Sequence, residues 1–129
     1  MKTVLIMEDD PYHARLMCRM LENGGFAVIH AATGEDGLRL SLEHEPDLIL
    51  LDMGLPDLDG QTVAGLIKGS STLSKIPLIA VTAWPQATAR QMAQAYGCEG
   101  YISKPIQVRQ FSAQVTAFLE EFGELDRGV

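Results

Sequence analysis

Apolar and polar positions along this chain follow two rhythms that alternate. Short unbroken apolar runs occupy 3–7, 26–29, 48–51, 77–82 and 100–105, the last a short one that ends on Lys104 and Pro105. Between and after them lie five stretches in which apolar residues recur three or four apart. An apolar run bounded by turn residues reads as a strand buried on both faces, and the wider spacing reads as a helix with one apolar side. Asp10 followed by Pro11 opens the first helix, with the carboxylate as cap and proline at the first helical position. Leu16, Met17, Met20 and Leu21 give that helix a buried face, and Asn23-Gly24-Gly25 ends it. Thr33 caps a second helix carrying Leu38 and Leu42, which stops before Pro46. Val63, Leu66 and Ile67 mark a third, softened by Gly65 and Gly69, and a polar loop follows at 70–75. The fourth, at 86–96, has few apolar residues, with Met92 and Tyr96 as its main packing candidates. Phe111, Val115, Phe118 and Phe122 stripe the fifth.

Strand and helix alternating five times predict an α/β domain: a doubly wound parallel sheet of five strands covered on both faces. No internal repeat, linker or low-complexity segment interrupts the 129 residues, so a single domain is expected.

Composition narrows the function classes. Apolar residues at 47% and charged residues at 21% describe an ordinary globular chain. No apolar run approaches the roughly 20 residues that cross a bilayer, so membrane insertion is not expected. The first apolar run begins at Thr3 without a signal-peptide layout, which predicts a cytoplasmic protein. A formal charge of −7 would repel a nucleic-acid backbone, so direct nucleic-acid binding is not expected. Cys18 and Cys98 stand far apart in no ligand pattern and are expected as reduced packing residues. His13, His30 and His44 are likewise scattered.

The residues just past each predicted strand carry the chemistry. They are Glu8-Asp9-Asp10, Asp52, Thr82 and Lys104, and parallel strands bring all of them to one sheet edge. Asp52 stands out because four large apolar residues, Leu48 to Leu51, run straight into it. Carboxylates crowded in one crevice must take up protons or bind a cation. An all-oxygen site open to water suits Mg²⁺, which keeps several waters of its own. One lysine and one hydroxyl suit a phosphoryl group, and an aspartate nucleophile forms an acyl phosphate. Singly, each residue has an ordinary reading: a turn, a cap, a strand-end hydroxyl, a surface charge. Together they do not.

These motifs, taken in order, resemble the receiver domain of response regulators, the CheY-like family, over essentially the whole chain. The matching residues are the acidic pair Glu8-Asp9, Asp52 followed by Pro56 and Asp59-Gly60, Thr82-Ala83, and Lys104-Pro105. The stretch 98–106 is similar to DivK-type single-domain regulators and to receivers attached to hybrid kinases. The resemblance implies a flavodoxin-like sandwich with strand order 2-1-3-4-5, a receiver spanning 1–122 and a tail at 123–129. It implies that Asp52 accepts phosphate from a histidine kinase or histidine phosphotransfer protein, without classical enzyme turnover. Glu8, Asp9, Asp52 and the backbone carbonyl of Gly54 would hold Mg²⁺, for which Mn²⁺ can substitute. Lys104 would pair first with Asp52 and then with the phosphoryl oxygens. Thr82 would move to the phosphoryl, and Tyr101 would swing inward as a switch. Gly54 and Trp84 occupy positions that bear on phosphate lifetime, and Lys104-Pro105 matches a bond that is typically cis. Asp10, the third acid, is assigned to helix capping. A monomer or weak dimer is expected. The exposed side of the fourth helix (Gln86, Ala87, Arg90, Gln91, Gln94) is the expected output surface, together with the fifth strand and fifth helix. His13, Arg15 and Arg19 on the first helix mark the expected phosphodonor face.

Three other readings stand beside this one. A flavin carrier shares the sheet order but needs a Ser/Thr/Gly-rich phosphate loop where this chain has acids. An aspartate-nucleophile hydrolase usually needs a second Asp where Gly54 stands. A receiver cut from a longer kinase or regulator remains open, with Met1 favouring a free-standing chain and 124–129 equally readable as a severed linker.

Overall fold

A computed structural model of the protein describes residues 1–55 and 57–123. The expected tail, 123–129, therefore lies outside the described residues except for Gly123, as does Pro56. The elements are β1 (Thr3–Met7), α1 (Pro11–Asn23), β2 (Ala27–Ala31), α2 (Gly34–His44), β3 (Leu48–Asp52), α3 (Gly60–Lys68), β4 (Leu78–Thr82), α4 (Gln86–Tyr96), β5 (Gly100–Ser103) and α5 (Phe111–Phe118). A π-helical turn, Leu119–Gly123, continues α5. All strand pairs are parallel, in the order β2-β1-β3-β4-β5. The doubly wound fold and strand order are those expected.

Period-two alternation divides the core into two halves. Leu5, Met7, Ile49, Leu51, Leu78 and Ala80 face α2, α3 and α4. Val4, Ile6, Leu48, Leu50, Ile79, Val81 and Ile102 face α1 and α5, where Met17, Leu21, Phe111 and Val115 meet them. Apart from Thr3, which opens β1, the central strands β1, β3 and β4 consequently have no polar residue until their carboxyl ends.

Several expectations are corrected. β2 begins one residue later than the apolar run and extends to Ala31, because His30 and Ala31 pair with Ile6 and Met7. β5 stops at Ser103, and Lys104 follows it across a cis peptide bond to Pro105. Leu42 and Leu66 are 54% and 51% exposed rather than buried. α2 approaches the sheet through Gly37 and Ser41: a Cβ at Gly37 would lie 2.5 Å from the Met7 sulfur, so a larger residue there would force the Met7 side chain to move. α3 buries Val63, Ala64 and Ile67, leaving Leu66 about 100° around the helix from Ile67. α4 packs through Ala89 and Ala93, with Met92 and Tyr96 only half-buried beside them. Leu73, inside the polar 70–75 loop, is buried, and so is Leu119, while Phe118 and Phe122 are half-buried.

The edge of the sheet opposite the strand-end acids carries a contact that local pattern did not reveal. Lys68, at the end of α3, pairs with Glu99 just before β5, and its ammonium also donates to the carbonyls of Ser74 and Ile76 at 3.2 and 3.3 Å. Glu99 in turn accepts the Leu78 N–H at 3.2 Å. The α3–β4 and α4–β5 connections are pinned together there, thirty-one residues apart in sequence at the widest.

The two kinds of leucine separate cleanly in a stability measurement. Leu50→Ala lowers the urea-unfolding free energy by about 2–5 kcal/mol, because Leu50 is fully buried at the centre of the sheet. Leu42→Ala and Leu66→Ala each stay within about 0.5 kcal/mol of wild type.

Candidate phosphoacceptor site

Register sets the site. Met7 pairs with Leu51 and Leu51 with Ala80, so Glu8, one residue beyond β1, comes level with Asp52, the last residue of β3. Thr82 pairs with Ser103, which brings Lys104 in just past them, its N–H donating to the Thr82 carbonyl at 2.8 Å. These positions lie at the carboxyl edge beside the β1/β3 switch point, where crossovers leave in opposite directions and open a crevice.

The side chains converge as the sequence suggested. Lys104 Nζ lies 3.2 Å from Asp52 Oδ1 and 3.6 Å from Glu8 Oε1. Glu8, Asp9 and Asp52 each turn one carboxylate oxygen into a space no wider than 4.8 Å. Asp52 Oδ1 also accepts the Gly54 N–H at 3.0 Å. Thr82 is buried, and its hydroxyl oxygen accepts the Trp84 N–H at 3.0 Å, which leaves its own hydrogen free to donate. Asp52, Gly54, Thr82, Ala83, Trp84 and Lys104 are among the walls of a cavity of about 230 Å³. Tyr101 is not brought into this cavity. It pairs with Ala80 on β5, is half-buried, and lines a separate polar cleft with Gln86 and Gln114.

Electrostatics make this edge a place of unmet demand. Glu8 is 1% exposed, and burial, followed by the neighbouring Asp52 carboxylate, pushes its carboxyl up to about 7. Its Oε2 accepts the Asp10 N–H at 3.2 Å, yet its Oε1 is buried without a hydrogen-bond partner among the described residues. Three carboxylates face one ammonium. A buried acceptor lacking a donor, beside two further carboxylates, is a donor set that fits a hard divalent cation. Asp10 takes no part in it: its Oδ1 accepts the Tyr12 and His13 N–H groups at 2.9 and 3.2 Å as the cap of α1. The bonds it receives from His13 and Tyr12 hold its carboxyl below the usual range.

A second opening adjoins the first. A groove of about 360 Å³ with largely apolar walls runs between α1 and the segment after β5, bounded by Tyr12, Leu16, Ile106, and by Glu8 and Lys104 at its inner end. Tyr12 is 68% exposed there.

The match to known proteins agrees with this geometry. Residues 4–116 match the family model of the response regulator receiver domain. The chain belongs to the response-regulator receiver family. It is 38% identical to the polar-differentiation response regulator DivK of Brucella ovis, over 92% of this chain and 96% of that one. Among solved structures it resembles the signal receiver domain of a histidine kinase from Syntrophus aciditrophicus, with a TM-score of 0.84, 27% identity, and 94% and 92% of the two chains covered. A CheY-like receiver protein from Methanospirillum hungatei JF-1 superposes with a TM-score of 0.83 at 27% identity, over 96% and 98%. The receiver is thus a response-regulator module of two-component signalling. Among the described residues, no helix is long and apolar enough to cross a membrane.

Sequence reading missed two residues that hold this site. His30 has its Nε2 2.7 Å from the Glu8 carbonyl, which can only accept, so that nitrogen carries the proton. Asp57 reaches from the β3–α3 loop to the start of α2. A period-two strand with a polar residue at its end gives a signal for the first; nothing local signals the second.

The Glu8 shift has a measurable consequence in protein stripped of divalent cations. The folded state holds this proton more tightly than the unfolded chain, so its contribution to stability is full below the ordinary glutamate value of 4.5 and is lost as pH rises through about 7. Unfolding in urea with a chelator therefore finds Glu8→Gln gaining on wild type between pH 5 and pH 8. A gap between the two that is the same at both pH values contradicts the assignment.

Proposed function

We propose that Asp52 is the phosphoacceptor of this receiver, taking a phosphoryl group from a phosphohistidine on a histidine kinase or histidine phosphotransfer protein. One observation carries the reading: among the described residues, Asp52 is the acid that joins Glu8, Asp9 and the Lys104 ammonium and that also lines a cavity with the buried Thr82. An Asp52 carboxylate oxygen attacks phosphorus, the O–P bond forms as the P–N bond of the donor breaks, and the imidazole leaves with the electron pair and takes a proton. Lys104, already beside Asp52, pairs with the phosphoryl oxygens as they arrive, and Thr82 donates its hydroxyl hydrogen to one of them. Glu8, Asp9, Asp52 and the Gly54 carbonyl are the residues that would hold Mg²⁺, with Mn²⁺ an acceptable substitute. When bound, that ion supplies charge neutralisation for the phosphoryl oxygens. The protein promotes its own phosphorylation and dephosphorylation and is not a turnover enzyme.

Signalling follows as a population shift. Thr82 moves toward the phosphoryl, Tyr101 follows inward, and the face of α4, β5 and α5 changes what it binds. The exposure of Gln86, Ala87, Arg90, Gln91 and Gln94 supports that face as the output surface. The apolar groove beside α1, lined by Tyr12 and His13, and the exposed Arg15 and Arg19 on the same helix support docking of the phosphodonor there. The receiver is proposed to span 1–122, with 123–129 as a tail, acting in the cytoplasm as a monomer or weak dimer.

Labelling with acetyl phosphate and Mg²⁺, followed on phosphate-affinity gels, tests the chemistry. Wild type is labelled, Asp52→Asn is not, and folded Lys104→Ala is labelled about a hundredfold more slowly. Equal labelling of Asp52→Asn and wild type overturns the proposal.

A further inference from the structure

Asp57 sits in the loop that leaves Asp52, and its side chain works on a different element. Its Oδ1 accepts the Gly34 N–H at 2.8 Å and its Oδ2 accepts the Glu35 N–H at 3.0 Å. Those are the first two N–H groups of α2, which have no partner inside the helix. The third position is satisfied locally, Thr33 Oγ1 accepting the Asp36 N–H at 3.1 Å. α2 is therefore capped twice, once by its own Thr33 and once by a carboxylate lent from the β3–α3 loop. Close packing reinforces the arrangement: a Cβ on Gly34 would lie 2.9 Å from Val63 and 3.2 Å from Leu58. The bonds from Gly34 and Glu35 hold the Asp57 carboxyl below its usual range.

The same corner grips the other acidic loop. Glu8 donates its N–H to the Ala31 carbonyl at 3.0 Å, and His30 donates to the Glu8 carbonyl at 2.7 Å. One short stretch, 30–35, thus holds the loop that carries Glu8 and Asp9 and the loop that carries Gly54.

We propose that the β2–α2 corner braces the cation site, with Asp57 as the positioning residue that fixes the Gly54 loop against it. This rests on the reading of Glu8, Asp9, Asp52 and Gly54 as the Mg²⁺ ligands. Asp57 touches neither cation nor phosphoryl group. It acts by removing freedom from the loop: two charge-assisted hydrogen bonds to α2 tether the chain three residues past Gly54 and so limit how far that loop can stray from Asp52. Without Asp57 the loop samples more positions, and holding it for the ion costs ordering entropy at each binding event.

Thr33→Ala is the natural control, because it uncaps the same helix without touching the loop. Mg²⁺ is titrated into wild type, Asp57→Ala, Asp57→Asn and Thr33→Ala, following the amide NMR shifts of Asp52, Met53 and Gly54, with thermal melting alongside. Asp57→Ala weakens Mg²⁺ binding by about tenfold, Asp57→Asn falls between, and Thr33→Ala stays within about twofold although it also melts earlier. Affinity in both Asp57 variants within about twofold of wild type overturns the brace, as does an equal loss in Thr33→Ala. Wild type that binds no Mg²⁺ removes the ligand assignment itself, and the brace with it.

Discussion

Crowding of carboxylates at level strand ends is the constraint on which this structure turns. Parallel register leaves Glu8 beside Asp52, both almost out of water, with Asp9 exposed next to them. Burial disfavours the Glu8 charge, and the neighbouring Asp52 disfavours it further. Among the described residues, Lys104 is the one cation paired with them, at 3.2 Å from Asp52 and 3.6 Å from Glu8. The edge is thus held in deficit of positive charge, with Glu8 retaining a proton to near neutrality and one of its oxygens lacking a donor. A cation and a phosphoryl group, arriving together, would resolve that deficit.

The rest of the fold makes the deficit tolerable. The central strands are apolar on both faces, and α1 and α5 on one side with α2, α3 and α4 on the other keep water from them. At the opposite edge, Lys68 and Glu99 bind the connections around β4 and β5, so the two ends of the sheet are held by different means. At the chemical edge the loops are held by backbone N–H groups given to carboxylates: Asp10 on α1, Asp57 on α2, Asp59 on α3. Each helix start is positive, so acids gather there for reasons of stability as well as chemistry.

That double use of acids explains what could and could not be read in the chain. Asp52 was legible because a run from Leu48 to Leu51 permits only a buried strand, and a buried strand can end in one place. Asp10 was legible as a cap because Pro11 follows it. Asp57 was not, because its partners, Gly34 and Glu35, are more than twenty residues away and the bond needs the tertiary fold. The exposure of Leu42 and Leu66 was hidden for a related reason. A helix that approaches a sheet through Gly37 or Ala64 has little room for leucines at its margins, and periodicity records polarity without distance. The Lys68–Glu99 pair joins residues that look like ordinary surface charges until α3 and β5 are side by side. Tyr101, read as a side chain that swings inward once Thr82 moves, borders a separate cleft with Gln86 and Gln114.

The central claim is that charge convergence singles out Asp52 among seventeen acidic residues. Borohydride reduction after phosphorylation with acetyl phosphate and Mg²⁺, followed by peptide mass spectrometry, reads the modified position directly, because it converts an aspartyl phosphate to homoserine. Homoserine at position 52 alone is the predicted result. Homoserine at Asp9, Asp57 or Asp59 with Asp52 unmodified would contradict it.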